Sequence, residues 1–305
     1  MKARVLKSTG SWYEVLTEEG QVVEARVRGK IRLLKYSETN PVAVGDEVEL
    51  NDREGENVIT EIHERRNHVL RQSVKKKGHA HVLAANIDQA LVMVTLKKPR
   101  TSLGFIDRFL ITAEAYRIPQ IILVNKVDLL DADDQIALQE LHRIYEPLSI
   151  PVVDACLLQE TGLNPIQNLL AGKITLIAGH SGVGKSTLLN RLHPGIRQAT
   201  RAISAYHEKG THSTTYAEMF PLDANTFVID TPGIKEWGLI DMEPQELSDY
   251  FMEMRALRSQ CKFGARCLHL HEPGCAVLLA VAAGTISKSR YTNYCRMVSG
   301  EDSRK

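Results

Sequence analysis

Apolar and polar residues alternate along the first 65 positions with the two-residue period of half-buried strands. In "RVLKSTGSWYEVLTEEGQVVEARVRG", Val23, Ala25 and Val27 fall on one face, and Glu24, Arg26 and Arg28 on the other. "AVGDEVEL" and "NVITEIHE" continue the pattern after a Gly-Asp turn. About five short strands with no helix between them predict a small closed barrel of the OB type over residues 1–65.

From residue 86 the pattern changes. "NIDQALVMVTL", "IPQIILVNKVD", "IPVVDAC" and "KITLIAG" are compact runs rich in Val and Ile, separated by helical stretches such as "FIDRFLITAEAYR" and "DQIALQELHRIYEPL". That alternation predicts parallel strands covered on both faces by helices, here an α/β unit over 66–240. Beyond it, over 241–305, helices and a Cys/His cluster replace the strands. No internal repeat or low-complexity tract interrupts the three units.

A chain of 305 residues suits two or three domains. Apolar residues make up 43% and charged residues 25%, as in ordinary soluble proteins. The formal net charge of +1 provides no global field toward nucleic acid, so any such affinity must be local. No apolar run reaches the roughly 18–20 residues that span a bilayer. The opening "MKARVLKSTG" lacks an apolar signal core, which predicts a cytoplasmic, non-membrane protein. Disulfides are not expected there, and three of the five cysteines cluster in a way that suggests metal.

Five motifs carry the chemistry. "GHSGVGKST" (Gly179, His180, Ser181, Gly182, Val183, Gly184, Lys185, Ser186, Thr187) follows a strand and opens a helix, as a phosphate-binding loop must. Lys185 is expected to reach the β- and γ-phosphates, and Ser186 to bind Mg²⁺. "NKVD" ends another strand. Asp128 can accept from N1–H and the 2-amino group of guanine, donors that adenine lacks. Asn125 would brace the loops, Lys126 would lie along the base, and Val127 completes the motif. "VIDTPGI" fits the second switch, with Asp230 holding Mg²⁺ through water and the Gly233 N–H sensing the γ-phosphate. In "EKGTHSTTYAEM", Thr214 is the expected Mg²⁺ ligand of the first switch, with Thr215 the alternative. "VVDACLLQETGL" stands where a base-supporting S-A-x loop belongs: Ala155 fits, and Asp154 replaces the usual Ser.

These motifs run in the order guanine reader, base loop, phosphate loop, first switch, second switch. An ordinary GTP-binding domain has the phosphate loop first. Moving strands 4–6 ahead of strands 1–3 leaves the sheet unchanged in space, so the order predicts a circular permutation. Across nearly its whole length the chain resembles the family of ribosome small subunit-dependent GTPase A, RsgA. An N-terminal barrel, "NKVD" before "GHSGVGKST", "GTHSTT", "DTPG" and a C-terminal Cys/His cluster occur in that family's order. The resemblance implies a GTPase stimulated by the small ribosomal subunit and acting late in that subunit's maturation.

The residue after D-x-x-G is Ile234, which cannot orient water as a glutamine would. His212 is the expected replacement, since a neutral imidazole can accept a proton or hold water. The family's histidine in "G-x-H-[ST]-T-T" agrees. In "CKFGARCLHLHEPGC", three thiolates and one imidazole would form a closed structural Zn²⁺ site. The resemblance favours Cys261, Cys267, His269 and Cys275 over a set containing His271, although the first gap is one residue longer than the family's. "RRNHVLRQSVKKKGHAH", with Arg26, Arg28, Lys30, Arg32 and Lys35 beside the barrel, reads as an rRNA-contacting surface. The chain is expected to work as a monomer. A P-loop ATPase, disfavoured by "NKVD", and a GTP-binding scaffold without turnover, suggested by Ile234, remain the alternatives at this level.

Overall fold

The structure is a computed structural model that describes residues 1–10, 12–27, 41–53, 55–72, 80–159, 162–193, 217–231 and 242–301. Strands β1 (Lys2–Ser8), β2 (Tyr13–Thr17), β3 (Val22–Val27), β4 (Glu47–Arg53) and β5 (Glu56–Ile62) pair in the order β1-β2-β3-β5-β4, and β4 returns to β1. The ring is closed: the pairs are antiparallel except β3 with β5. Val5, Tyr13, Val15, Ala25, Val48 and Ile59 fill its interior, as their period-2 spacing predicts.

The basic stretch after the barrel is more structured than a solvated linker. Its two ends form an antiparallel hairpin, β6 (His68–Gln72) with β7 (Ala80–Ala85). Val69 inside the basic run and Ala84 and Ala85 just beyond it are buried, and these apolar positions hold its ends onto the core. Gly45 crosses this junction at φ +88, and a Cβ there would stand 2.2 Å from the Ala85 carbonyl oxygen. Arg65 fastens the same corner by pairing with buried Asp46, Nε to Oδ1 and Nη2 to Oδ2 both at 2.7 Å. Burial pushes the Asp46 carboxyl up, against the downward pull of Arg65.

The α/β unit follows with β8 (Gln89–Val94), α1 (Leu103–Ala115), β9 (Gln120–Asn125), α2 (Ala132–Tyr145), β10 (Val152–Ala155), α3 (Asn164–Leu170), β11 (Ile174–Ala178), α4 (Lys185–Leu192), β12 (Glu218–Pro221) and β13 (Phe227–Asp230). Its sheet runs β10-β9-β8-β11-β13-β12, parallel except for the antiparallel edge strand β12. Side chains along each strand alternate between two apolar layers. Ala90, Val92 and Val94 of β8 join Phe105, Phe109 and Leu110 of α1, whereas Leu91 and Met93 join Ile166 of α3 and Leu188 of α4. The strands are buried on both faces, which is why they read as continuous apolar runs. Every parallel strand ends at the same edge, and the described loops that carry "NKVD" and "GHSGVGKST" gather there.

The barrel and this sheet are continuous through β1 and β12, with Lys7 opposite Glu218 and their side chains 3.3 Å apart. The C-terminal residues form α5 (Pro244–Tyr250), α6 (Met252–Arg255), α7 (Ala276–Ala282) and α8 (Lys288–Val298) around a loop bearing the cysteines. Leu247, Phe251, Met254, Val277 and Tyr294 make their core, which Ile111 of α1 also enters. Among the described residues, no helix is long and apolar enough to cross a membrane.

Candidate nucleotide site and Cys3His cluster

The loop between β11 and α4 takes its shape from three glycines with positive φ: Gly179 (+148), Gly182 (+85) and Gly184 (+111). A Cβ on Gly179 would lie 2.4 Å from the Met93 carbonyl oxygen, and one on Gly184 would lie 2.4 Å from Asn125 Nδ2. Gly184 caps α4 without a side chain, leaving the first N–H groups of the helix available to an anion. Ser181, Gly182, Ser186 and Thr187 are exposed, and Val183 is buried as the loop's anchor. Lys185 Nζ folds back onto the carbonyls of Gly179 (2.6 Å) and His180 (2.9 Å). Its half-buried position lowers its pKa, partly offset by Asp230.

Asp230 ends β13 beside the lysine. Burial raises its carboxyl, Lys185 pulls it down, and Oδ1 is buried without a hydrogen-bond partner among the described residues. A buried oxygen left this way has unused capacity to accept. His212, Thr214, Thr215, Gly233 and Ile234 lie outside the described residues.

The "NKVD" motif meets the "GHSGVGKST" loop directly. Asn125 donates from Nδ2 to the Val183 carbonyl at 2.8 Å and accepts the Leu157 N–H at 3.2 Å. Lys126, at φ +64, donates to the carbonyls of Lys98 (2.6 Å) and Gly182 (2.8 Å). Val127 starts a 3-10 turn that presents Asp128 to solvent. The structure thus brings residues 125–128 and 179–187 to one edge, with Asp230 beside Lys185.

The residues that match the base-loop pattern straddle the end of β10. Ala155 is still in β10, paired with Asn125 and buried. Asp154 points away to His142 Nε2 at 3.0 Å. The segment that reaches Asn125 begins at Cys156, and Leu157 supplies the N–H. Sequence reasoning missed the turn at 95–101. Its Lys98 carbonyl takes the Lys126 ammonium, and Pro99 Cδ would touch a Cβ on Gly182 at 3.5 Å. Backbone acceptors of this kind leave no residue-type signal.

Cys261, Cys267, His269 and Cys275 form a second site, all buried, with one donor atom from each lying within 4.8 Å of the others. His269 Nδ1 is 3.3 Å from Cys275 Sγ and 3.6 Å from Cys261 Sγ. His271 is exposed and outside the group. The long first gap is taken up by a 3-10 turn, Gly264–Arg266, with Gly264 at φ +50. Burial pushes the Cys267 thiol up to about 12 and raises Cys275, so only a cation among them would favour the thiolates. Cys156 and Cys295 stand apart, and none of the five cysteines is in a disulfide.

Comparison with known proteins adds independent findings. The RsgA GTPase family matches residues 62–240, and the RsgA N-terminal domain matches residues 2–59. A small ribosomal subunit biogenesis GTPase RsgA from Bacteroides fragilis is 48% identical over 303 residues, covering 99% of this chain and 97% of that one. Its namesake from Flavobacterium johnsoniae is 43% identical over 309 residues, covering 99% and 94%. The crystal structure of YjeQ from Thermotoga maritima matches with a TM-score of 0.79 at 36% identity, covering 98% of this chain and 97% of that one. YloQ, a circularly permuted GTPase, matches at 0.76 and 30% identity, covering 100% and 96%.

Proposed function

This chain belongs to the RsgA GTPase family, and from that footing we propose that it hydrolyses GTP under stimulation by the small ribosomal subunit, late in that subunit's maturation. The observation that carries the reading is Asn125 bonded to Val183. It joins a guanine reader to a phosphate loop that follows it in sequence, in one site. Both alternatives weaken: Asp128 disfavours adenine, and family membership disfavours a scaffold without turnover.

In this reading the guanine lies against Lys126 with Asp128 on its donor edge. The phosphates rest on the N–H groups of residues 179–187, and Lys185 exchanges its carbonyl contacts for phosphate oxygens. Asp230, with a buried oxygen to spare, fits a metal-held water, while Ser186 and Thr214 would be the direct Mg²⁺ ligands. When bound, Mg²⁺ neutralises phosphate charge. His212 orients the attacking water in place of Ile234, and the Gly233 N–H senses the γ-phosphate.

The donor set of the second site fits Zn²⁺ in a structural role, held by Cys261, Cys267, His269 and Cys275. The barrel and the basic segment are the RNA-facing surface. In support, exposed Trp12 carries the Arg26 guanidinium 3.5 Å from its ring centroid, a stacked pair suited to unpaired bases. The division 1–65, 66–240 and 241–305 assigns RNA contact to the barrel with the basic segment that follows it, nucleotide turnover to the α/β unit and metal-braced docking to the C-terminal unit of a cytoplasmic monomer.

Phosphate release should be measured with and without purified small subunits. Lys185→Ala or Ser186→Ala should abolish it, and Asp128→Asn should narrow the preference for GTP over ATP. His212→Ala should keep GTP affinity and lose stimulation. Wild-type turnover indifferent to subunits would overturn the reading.

A further inference from the structure

The sequence offers one covalent route from the nucleotide loops to the C-terminal helices, the chain after Asp230. The described residues supply a second, through α1. Near its start, Phe105 lies against the ring of His180 in the phosphate loop, with centroids 3.9 Å apart and planes tilted by 32°. Across the helix, the buried carboxylate of Asp107 accepts from Arg290 Nη1 (2.6 Å), Asn293 Nδ2 (2.6 Å) and the Tyr145 hydroxyl (2.9 Å). Ile111 and Glu114 follow Asp107 at four- and three-residue steps. Ile111 enters the C-terminal core, and Glu114 accepts from Arg255 at 2.8 Å. One face of α1 is therefore committed to the C-terminal unit while Phe105 serves the phosphate loop.

These contacts continue into the Cys3His loop. Arg290 also grips Glu253 through Nε and Nη2. On α8, the hydroxyls of Tyr291 and Tyr294 donate to the carbonyls of His269 (2.8 Å) and Leu268 (2.6 Å). Losing a donor to buried Asp107 leaves its charge under-compensated, so α1 and α8 are held to a single seating. At the far end, a shift of His180 moves the carbonyl that holds Lys185.

We propose that Asp107 and Phe105 are positioning residues that transmit the seating of α8 to the phosphate loop, fixing the His180 segment from which Lys185 reaches the nucleotide. The inference needs only the nucleotide site of the family. The small subunit enters as the partner that would exploit it, and so rests on the proposed function.

The test uses the full chain. Asn293→Ala removes one donor from Asp107 and leaves Arg290, and Phe105→Leu keeps the core apolar without the ring. Asn293→Ala should speed release of N-methylanthraniloyl-GDP by about threefold to tenfold. It should also shift the His180 ring resonances while those of His63 and His142 stay in place. Phe105→Leu should speed release similarly, Phe105→Tyr should restore it, and the double variant should be within about twofold of either single one. Unchanged release and an unmoved His180 signal in Asn293→Ala would overturn the proposal, as would multiplicative effects. If Asn293→Ala does not fold, Arg290→Lys takes its place with the same expectations. A wild type that subunits fail to stimulate counts against the proposed function, and the release measurements still decide this one.

Discussion

Asn125 donates to the Val183 carbonyl at 2.8 Å, tying the end of β9 to the middle of the phosphate loop. The same side chain accepts the Leu157 N–H, so one amide closes three loops over the site. A residue that satisfies both ends of its amide in a buried position is costly to replace, because its partners then lose their bonds together.

Asn125→Ala should therefore weaken GTP and GDP alike, by about 1–3 kcal/mol or roughly five- to 150-fold. Titration with a fluorescent nucleotide checks it. Affinity within twofold of wild type would mean that the loops hold their arrangement without the amide.

Arg65→Ala should strip the guanidinium from buried Asp46 and leave its charge uncompensated. The expected loss is about 3–5 kcal/mol of folding stability, read by urea unfolding, with Arg65→Lys recovering only part of it. A loss below about 1 kcal/mol would show that Asp46 relaxes toward water.

The His142 imidazole should make stability depend on pH near neutrality. Burial works against its charge, but hydrogen bonds to Glu146 and Asp154 outweigh that cost and raise its pKa above 6.5. The stabilisation is thus fully present below 6.5 and lost as the pH rises through the raised folded value. The difference in Tm between wild type and His142→Gln should shrink from acid to alkaline buffer. A constant difference would remove the charged form from the account.

Zinc removal should loosen the C-terminal helices, since the cluster's core otherwise rests on buried, protonated thiols. Metal analysis should find one zinc per chain, lost in His269→Ala and retained in His271→Ala. Chelation should lower Tm in the wild type and leave it unchanged in His269→Ala. The reverse pattern between the two histidines would reassign the imidazole ligand.

Strand type was legible because burial on one face or two writes different hydropathy patterns. Val23, Ala25 and Val27 alternate with charge, whereas "QALVMV" does not. The phosphate loop was legible because only glycine fits beside Met93 and Asn125. Around Asp154 and Ala155 the residue types match a base-loop pattern, whereas the contact from this segment to Asn125 is a backbone N–H at Leu157, which leaves no mark in the sequence. The paired ends of the basic segment were missed because lysines and arginines masked the few apolar positions that anchor them. Asp107 gave no warning at all. A lone carboxylate on an amphipathic helix looks like surface until its partners from α8, far along the chain, are known.

The permuted order also sets a timetable. As the chain is synthesised, Asp128 emerges about sixty residues before Ser186, roughly 3–12 s earlier at ordinary elongation rates. In the finished sheet β8 lies between β9 and β11, so the base-reading half waits with one flank open until the later strand arrives. An ordinary GTP-binding domain would meet its nucleotide phosphate-first. This one makes its base-reading residues first, but Asn125 and Lys126 gain their Val183 and Gly182 carbonyl partners only with the phosphate loop, so the base reader stays unbraced until the residues that grip the phosphates are made.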